Sequence, residues 1–153
     1  MKTNNRTTLI EAKKFLRDNY KKGTTCPCCA QPVKMYRRPI TSAMAIGLIT
    51  LYKEKELNIT HIEDFFKLCK ELPSSIRGDF PKLRYWDIIE LVSEQDGYYK
   101  ITKKGERFVK GNEAVKSHVL LYNNKSYGLD GNLITINECL NITHDNRTKI
   151  TKT

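Results

Sequence analysis

An α+β fold is what this sequence predicts, and three observations predict it. Threonine and glutamate stand three residues apart at Thr8-Leu9-Ile10-Glu11, Thr60-His61-Ile62-Glu63 and Thr135-Ile136-Asn137-Glu138, the spacing at which each side chain takes a free N–H at a helix start. Apolar residues recur at helical spacing through the first half of the chain. In the second half the period moves toward two, around Asp-Gly pairs that favour tight turns. At 153 residues, 39% hydrophobic and 29% charged, the chain suits one compact unit, and no apolar run approaches the roughly eighteen residues of a membrane span.

The elements follow in order. Leu9 to about Tyr20 reads as a helix with Leu9, Ala12, Phe15 and Leu16 at core spacing, while Lys13, Lys14, Arg17 and Lys21 fall within an arc of about 100°. Gly23-Thr24-Thr25 ends it and leads into Cys26-Pro27-Cys28-Cys29. Val33 to Arg38 alternates as a strand that Pro39 stops. Thr41 or Ser42 caps a central helix whose side bears Met44, Leu48, Leu51 and Tyr52. Ile62, Phe65, Phe66, Cys69 and Leu72 stripe the next helix, and Pro73-Ser74-Ser75 breaks it. Asp79 is the expected cap of a third, with Pro81 in its first turn and Phe80, Leu83 and Trp86 as anchors. Ile88–Val92 and Tyr98–Thr102 are strands about the Gln95-Asp96-Gly97 turn, and Thr102 caps a short helix through Phe108. In the tail, Ser117–Tyr122 alternates, and Tyr127–Leu129 and Leu133–Ile136 flank Asp130-Gly131 as a second hairpin. A short helix at Cys139-Leu140 follows, and polar residues from about Asp145 are expected to fray.

Three helices, a hairpin and a further helix make the order of a winged helix-turn-helix. Leu83-Arg84-Tyr85-Trp86-Asp87-Ile88-Ile89-Glu90, followed by Tyr98-Tyr99-Lys100-Ile101-Thr102-Lys103-Lys104-Gly105-Glu106-Arg107-Phe108, resembles the recognition-helix end and wing of multiple-antibiotic-resistance-type winged-helix repressors. Asp87 stands where those families often carry glycine. With its upstream C-P-x-C the chain also resembles small winged-helix proteins of phages and prophages. The resemblance implies a winged-helix core over residues 41–110, a basic helix and cysteine turn over 1–40 before it, and a β-hairpin and short helix over 111–153 after it.

Charge sharpens the functional expectation. Of a net +10, residues 1–40 hold ten Lys or Arg against two acids, 41–110 twelve against eleven, and 111–153 five against four. A basic pole of this kind is the footprint of a phosphate-backbone binder, set against the plainer reading of a solubility charge. The candidate contacts to double-stranded DNA are Lys13, Lys14, Arg17, Lys21, Lys34, Arg37 and Arg38, together with Arg77, Lys82, Arg84 and Tyr85 on the third helix. Glu94-Gln95-Asp96 makes an acidic wing tip that phosphate repels, which moves the contact toward the first helix and cysteine turn. A winged helix that docks a host protein is the alternative.

Cys26 and Cys29 have the C-x-x-C spacing that aims two thiolates at one tetrahedral zinc. Lys34, Arg37 and Arg38 are expected to lower their pKa. The local sequence supplies no second pair, which leaves Cys139, His118, His144 or the same pair from a second protomer, and so a possible role for a homodimer. Cys28 is then a spare thiol and Cys69 a core residue. Neither His61 nor His118 has an acid and a nucleophile at local spacing, and no Gly-rich phosphate loop or H-E-x-x-H pattern occurs, so no enzyme is expected. Met1–Thr8 lacks an apolar signal core, so a cytoplasmic protein without a membrane partner is expected.

Overall fold

Thr8 opens the first helix as its spacing predicts: its hydroxyl accepts the Glu11 N–H at 3.2 Å, and α1 runs Leu9–Asn19. The computed structural model describes residues 7–92, 96–123 and 125–141. The predicted core face of α1 is narrower than its spacing suggests. Only Ala12 is buried, Phe15 and Leu16 are half-buried, and Leu9 is 63% exposed, because the first residues of the helix stand away from the body. Gly23, at φ 91, closes the helix by donating to the carbonyls of Asn19 and Tyr20, a left-handed turn that glycine adopts without strain.

β1 (Thr24–Thr25) and β2 (Pro32–Val33) form a two-stranded antiparallel ribbon around the cysteine turn. The single strand expected over Val33–Arg38 is broken. The Met35 N–H donates to the Tyr20 carbonyl at 3.1 Å instead of joining a ladder, and β3 begins at Tyr36 and ends at Pro39.

α2 (Ser42–Lys55) is capped by Thr41, whose hydroxyl accepts from the Met44 N–H at 3.2 Å. At the next helix the cap differs from expectation. Thr60 and His61 form a short strand, β4, and His61 instead caps α3 (Ile62–Leu68) by accepting the Glu63 N–H on Nδ1 at 3.1 Å. Strand pairing with Tyr99 holds the Thr60 backbone extended, so the cap moves on by one residue.

The third helix is also corrected. It begins as one α-turn, α4 (Ile76–Asp79), and continues as a 3₁₀ helix over Phe80–Trp86, and Asp79 makes no side-chain cap. Two sequence features account for this. Pro81 has no N–H to extend the α ladder, and Phe80, Leu83 and Trp86 are spaced by three, which stacks them on one face at three residues per turn. All three are at most 1% exposed. Asp87 ends the helix in the left-handed region at φ 59, the conformation for which glycine is the usual choice and which Asp tolerates better than most residues.

β5 (Ile89–Leu91) and β6 (Tyr98–Ile101) follow, and the sheet order is β4-β6-β5, antiparallel throughout. Thr102 caps α5 (Lys103–Val109) through the Gly105 N–H, as expected. Gly105 is required there, because a Cβ would collide with the Ile88 carbonyl oxygen. Glu94 and Gln95 of the expected wing tip lie outside the described residues; Asp96 is exposed.

β7 (Val115–Tyr122) and β8 (Lys125–Ile134) complete a second antiparallel sheet of order β3-β7-β8. Here Asp130-Gly131 is not the turn that the sequence suggested. β8 runs straight through it, and the chain reverses beyond Tyr122, where Asn123 takes φ 51. The register shift between Lys116 and His118 and φ 90 at Gly131 make Gly131-Asn132 a bulge, next to Asp130, which pairs with Arg37 across the sheet. Thr135 and Glu138 then exchange both bonds of a full capping box, opening the helical residues 136–141.

One core joins these parts. Met44, Leu48 and Leu51 of α2 pack with Phe65, Phe80, Trp86, Ile88, Ile101 and Phe108, and the same cluster takes in Val115, Val119, Ile134 and Cys139. Phe65 stacks on Phe80 at 3.9 Å, and the Trp86 indole N–H donates to the Lys116 carbonyl at 2.7 Å, tying the 3₁₀ helix to β7. Among the described residues no helix is long and apolar enough to cross a membrane.

Candidate nucleic-acid interface

Tyr20, at the end of α1, stacks on Tyr122 of β7 with ring centroids 4.3 Å apart and planes at 27°. Tyr127 of β8 completes the group at 5.9 and 6.2 Å from the other two rings. These rings floor a cleft of about 340 Å³ whose other walls are Lys13, Leu16 and Arg17. On its far side Tyr122 borders a second hollow of about 320 Å³ with Lys34 and Tyr36. Lys34 Nζ and the Arg38 guanidinium each sit 5.1 Å from the Tyr36 ring centre; alternation along β3 gives Arg38 the Tyr36 face, and Lys34 lies just before the strand. Tyr122 thus lines both hollows, with Lys13 and Arg17 of α1 around one and Lys34 beside β3 around the other.

The remaining sequence candidates are disposed differently. Arg37 alternates to the opposite face of β3 and donates through Nε to Asp130 at 2.6 Å, which together with the Gly131 N–H holds the Asp130 carboxyl below its usual range. Arg77 pairs with Glu63 at 3.5 Å and lies over Phe66. Lys82 pairs with Asp79 at 3.0 Å. The Arg84 guanidinium donates to the Tyr85 hydroxyl at 3.3 Å. By contrast Lys13, Lys14, Arg17, Lys21, Lys34 and Arg38 have no carboxylate partner among the described residues. Arg77 and Lys82 of the third helix meet carboxylates at the surface, whereas of the candidates on and beside α1 and β3 only Arg37 does.

The cysteine turn has a specific geometry. The Cys26 N–H donates to the Gln31 carbonyl at 2.8 Å and the Ala30 N–H to the Cys26 carbonyl at 2.9 Å, with Ala30 at φ 63. The Cys28 N–H points at Cys26 Sγ, 3.4 Å away. Backbone N–H groups of Cys28 and Cys29 lower the Cys26 thiol below its ordinary value; Lys34, Arg37 and Arg38, expected to do so, are not among the causes. Among the described residues no three His, Cys, Asp or Glu side chains converge as a metal-holding group. Cys139, one candidate for the missing ligands, is instead a core residue whose thiol burial pushes up to about 12. His118 is engaged with Ser117 at 2.6 Å, and His144 lies outside the described residues. Cys69 is buried, as its helical stripe implied.

Sequence reasoning missed the tyrosines. Their signal was present in Tyr20-Lys21-Lys22 and Tyr36-Arg37-Arg38, where an aromatic ring precedes paired cations. Compared with known proteins, the chain matches no family model, no curated protein and no solved structure.

Proposed function

We propose that this protein binds double-stranded DNA without catalytic turnover, as a transcriptional regulator of phage or prophage type, and that α1 and β3 supply the principal phosphate contacts. The observation that carries this reading is the contrast in charge pairing. Six cations on and beside α1 and β3 are free of carboxylate partners among the described residues, whereas Arg77 and Lys82 of the third helix are ion-paired. Free cations release counterions on meeting phosphate at no cost in broken ion pairs. A winged-helix module over residues 41–110 fits the order α2-β4-α3-third helix-β5-β6 and the antiparallel β4-β6-β5 sheet, with Arg84 and Tyr85 the remaining donors for base edges.

The cysteine turn fits half of a zinc site. Cys26 and Cys29 would hold the ion, the N–H directed at Cys26 favours its thiolate, and a closed tetrahedron would then draw Cys26 and Cys29 of a second copy. Zinc there would brace the turn between α1 and β3. A host-protein docking module is the second reading, favoured by the exposure of Leu9 at 63% and Ile10 at 80%. Titration of the protein into unrelated labelled duplexes at low salt, in parallel with capture from host lysate, tests the pair. Duplex affinity that falls steeply with salt is expected; a stoichiometric host protein with no duplex affinity would overturn the DNA reading.

A further inference from the structure

We propose that the cleft between α1 and the β7–β8 hairpin receives an unpaired nucleotide, its base against Tyr122 and Tyr127 and its phosphate between Lys13 and Arg17. The inference shares Lys13, Arg17 and Tyr122 with the proposed duplex-binding surface, but rests on Tyr127, whose ring that surface does not need. A duplex turns phosphate and sugar outward and keeps its base faces stacked, so three clustered phenol rings gain little from it. A single strand offers free base faces, and every base has one, so aromatic rings beside cations make a sequence-tolerant platform for it.

Three observations support this occupant. The cleft, about 340 Å³, lies at the lower end of the size range of small-ligand sites. Tyr20 and Tyr122 already stack on each other, while Tyr127 is 46% exposed and stands at 50° and 56° to its neighbours, so neither of them stacks flat on it. Lys13 and Arg17 lie one helical turn apart on the opposite wall, and neither has a carboxylate partner among the described residues. An anionic, flat, aromatic ligand complements every wall of this cleft.

Fluorescence anisotropy with oligothymidylate, oligouridylate and a blunt duplex, at one fixed salt concentration, tests the proposal on the full chain. Tyr127→Ala is expected to weaken oligothymidylate binding about tenfold or more and to leave duplex binding unchanged, while Tyr127→Phe retains both. Circular dichroism of Tyr127→Ala separates a lost contact from a lost fold. Equal loss with oligouridylate assigns the site to unpaired nucleotides generally, and loss with one polymer alone assigns it to that polymer's sugar or C5 substituent, which oligodeoxyuridylate then separates. Unchanged affinity of folded Tyr127→Ala and Tyr122→Leu for both single strands would overturn the proposal. Absence of duplex binding with Tyr127-dependent strand binding would instead overturn the duplex reading and leave this one standing.

Discussion

Each of the five cysteines occupies a distinct environment, and the differences are measurable. Cys28 and Cys29 are exposed and Cys26 half-exposed, while Cys69 and Cys139 are buried; desolvation raises both buried thiols, and thiolate is the reacting form. In metal-free folded protein, thiol titration is expected to find three fast groups and two that react only in denaturant. Stoichiometric zinc should then protect Cys26 and Cys29 and leave Cys28 reactive. His118 gives a second test at this scale. Desolvation first, then the neighbouring Arg37, hold its pKa below the ordinary 6.5, against the opposing pull of Asp130. The unfolded chain therefore binds the proton more readily than the fold. Stability contributed by this site is full above the unfolded value and is lost as pH falls through 6.5 toward the lower folded value. With the ring only half-buried, the slope should be shallow, and His118→Gln should flatten it in urea titrations between about pH 7 and 5.

Among the elements, the third helix best shows what the sequence makes legible and what it conceals. Its anchors Phe80, Leu83 and Trp86 were readable, and all are buried. Their spacing of three together with Pro81 also encoded the 3₁₀ form, which a search for α periodicity passes over. Asp87 was readable as a departure from glycine, and the structure explains it by φ 59. A β-branched residue there meets a penalty that glycine escapes, so Asp87→Val should be less stable than Asp87→Gly by about 1–2 kcal/mol in urea unfolding. β8 shows the opposite case. Asp130-Gly131 has the composition of a hairpin turn, but β8 runs through it and Asp130 meets Arg37, ninety-three positions away in sequence, and no local signal carries that pairing. The Thr60 cap failed for a similar reason, since its backbone is claimed by a strand partner, Tyr99.

For the whole molecule, charge distribution was legible and charge availability was not. Counting residues located the excess in positions 1–40, but only the fold reveals that Lys13, Arg17 and Lys34 line two hollows that share Tyr122, while Arg77 and Lys82 are ion-paired. The central claim is therefore that α1 with β3, and not the third helix, sets the electrostatic part of DNA affinity. It is tested most directly by the salt dependence of duplex binding in Lys13→Ala/Lys14→Ala/Arg17→Ala compared with Arg77→Ala/Lys82→Ala. Each lost phosphate contact removes about 0.9 from the slope of log affinity against log salt. The triple variant should lose about 2 to 3 from that slope and bind all duplexes more weakly, while the double variant keeps the wild-type slope. A full slope in the triple variant, with the loss appearing in the double variant, would contradict the account.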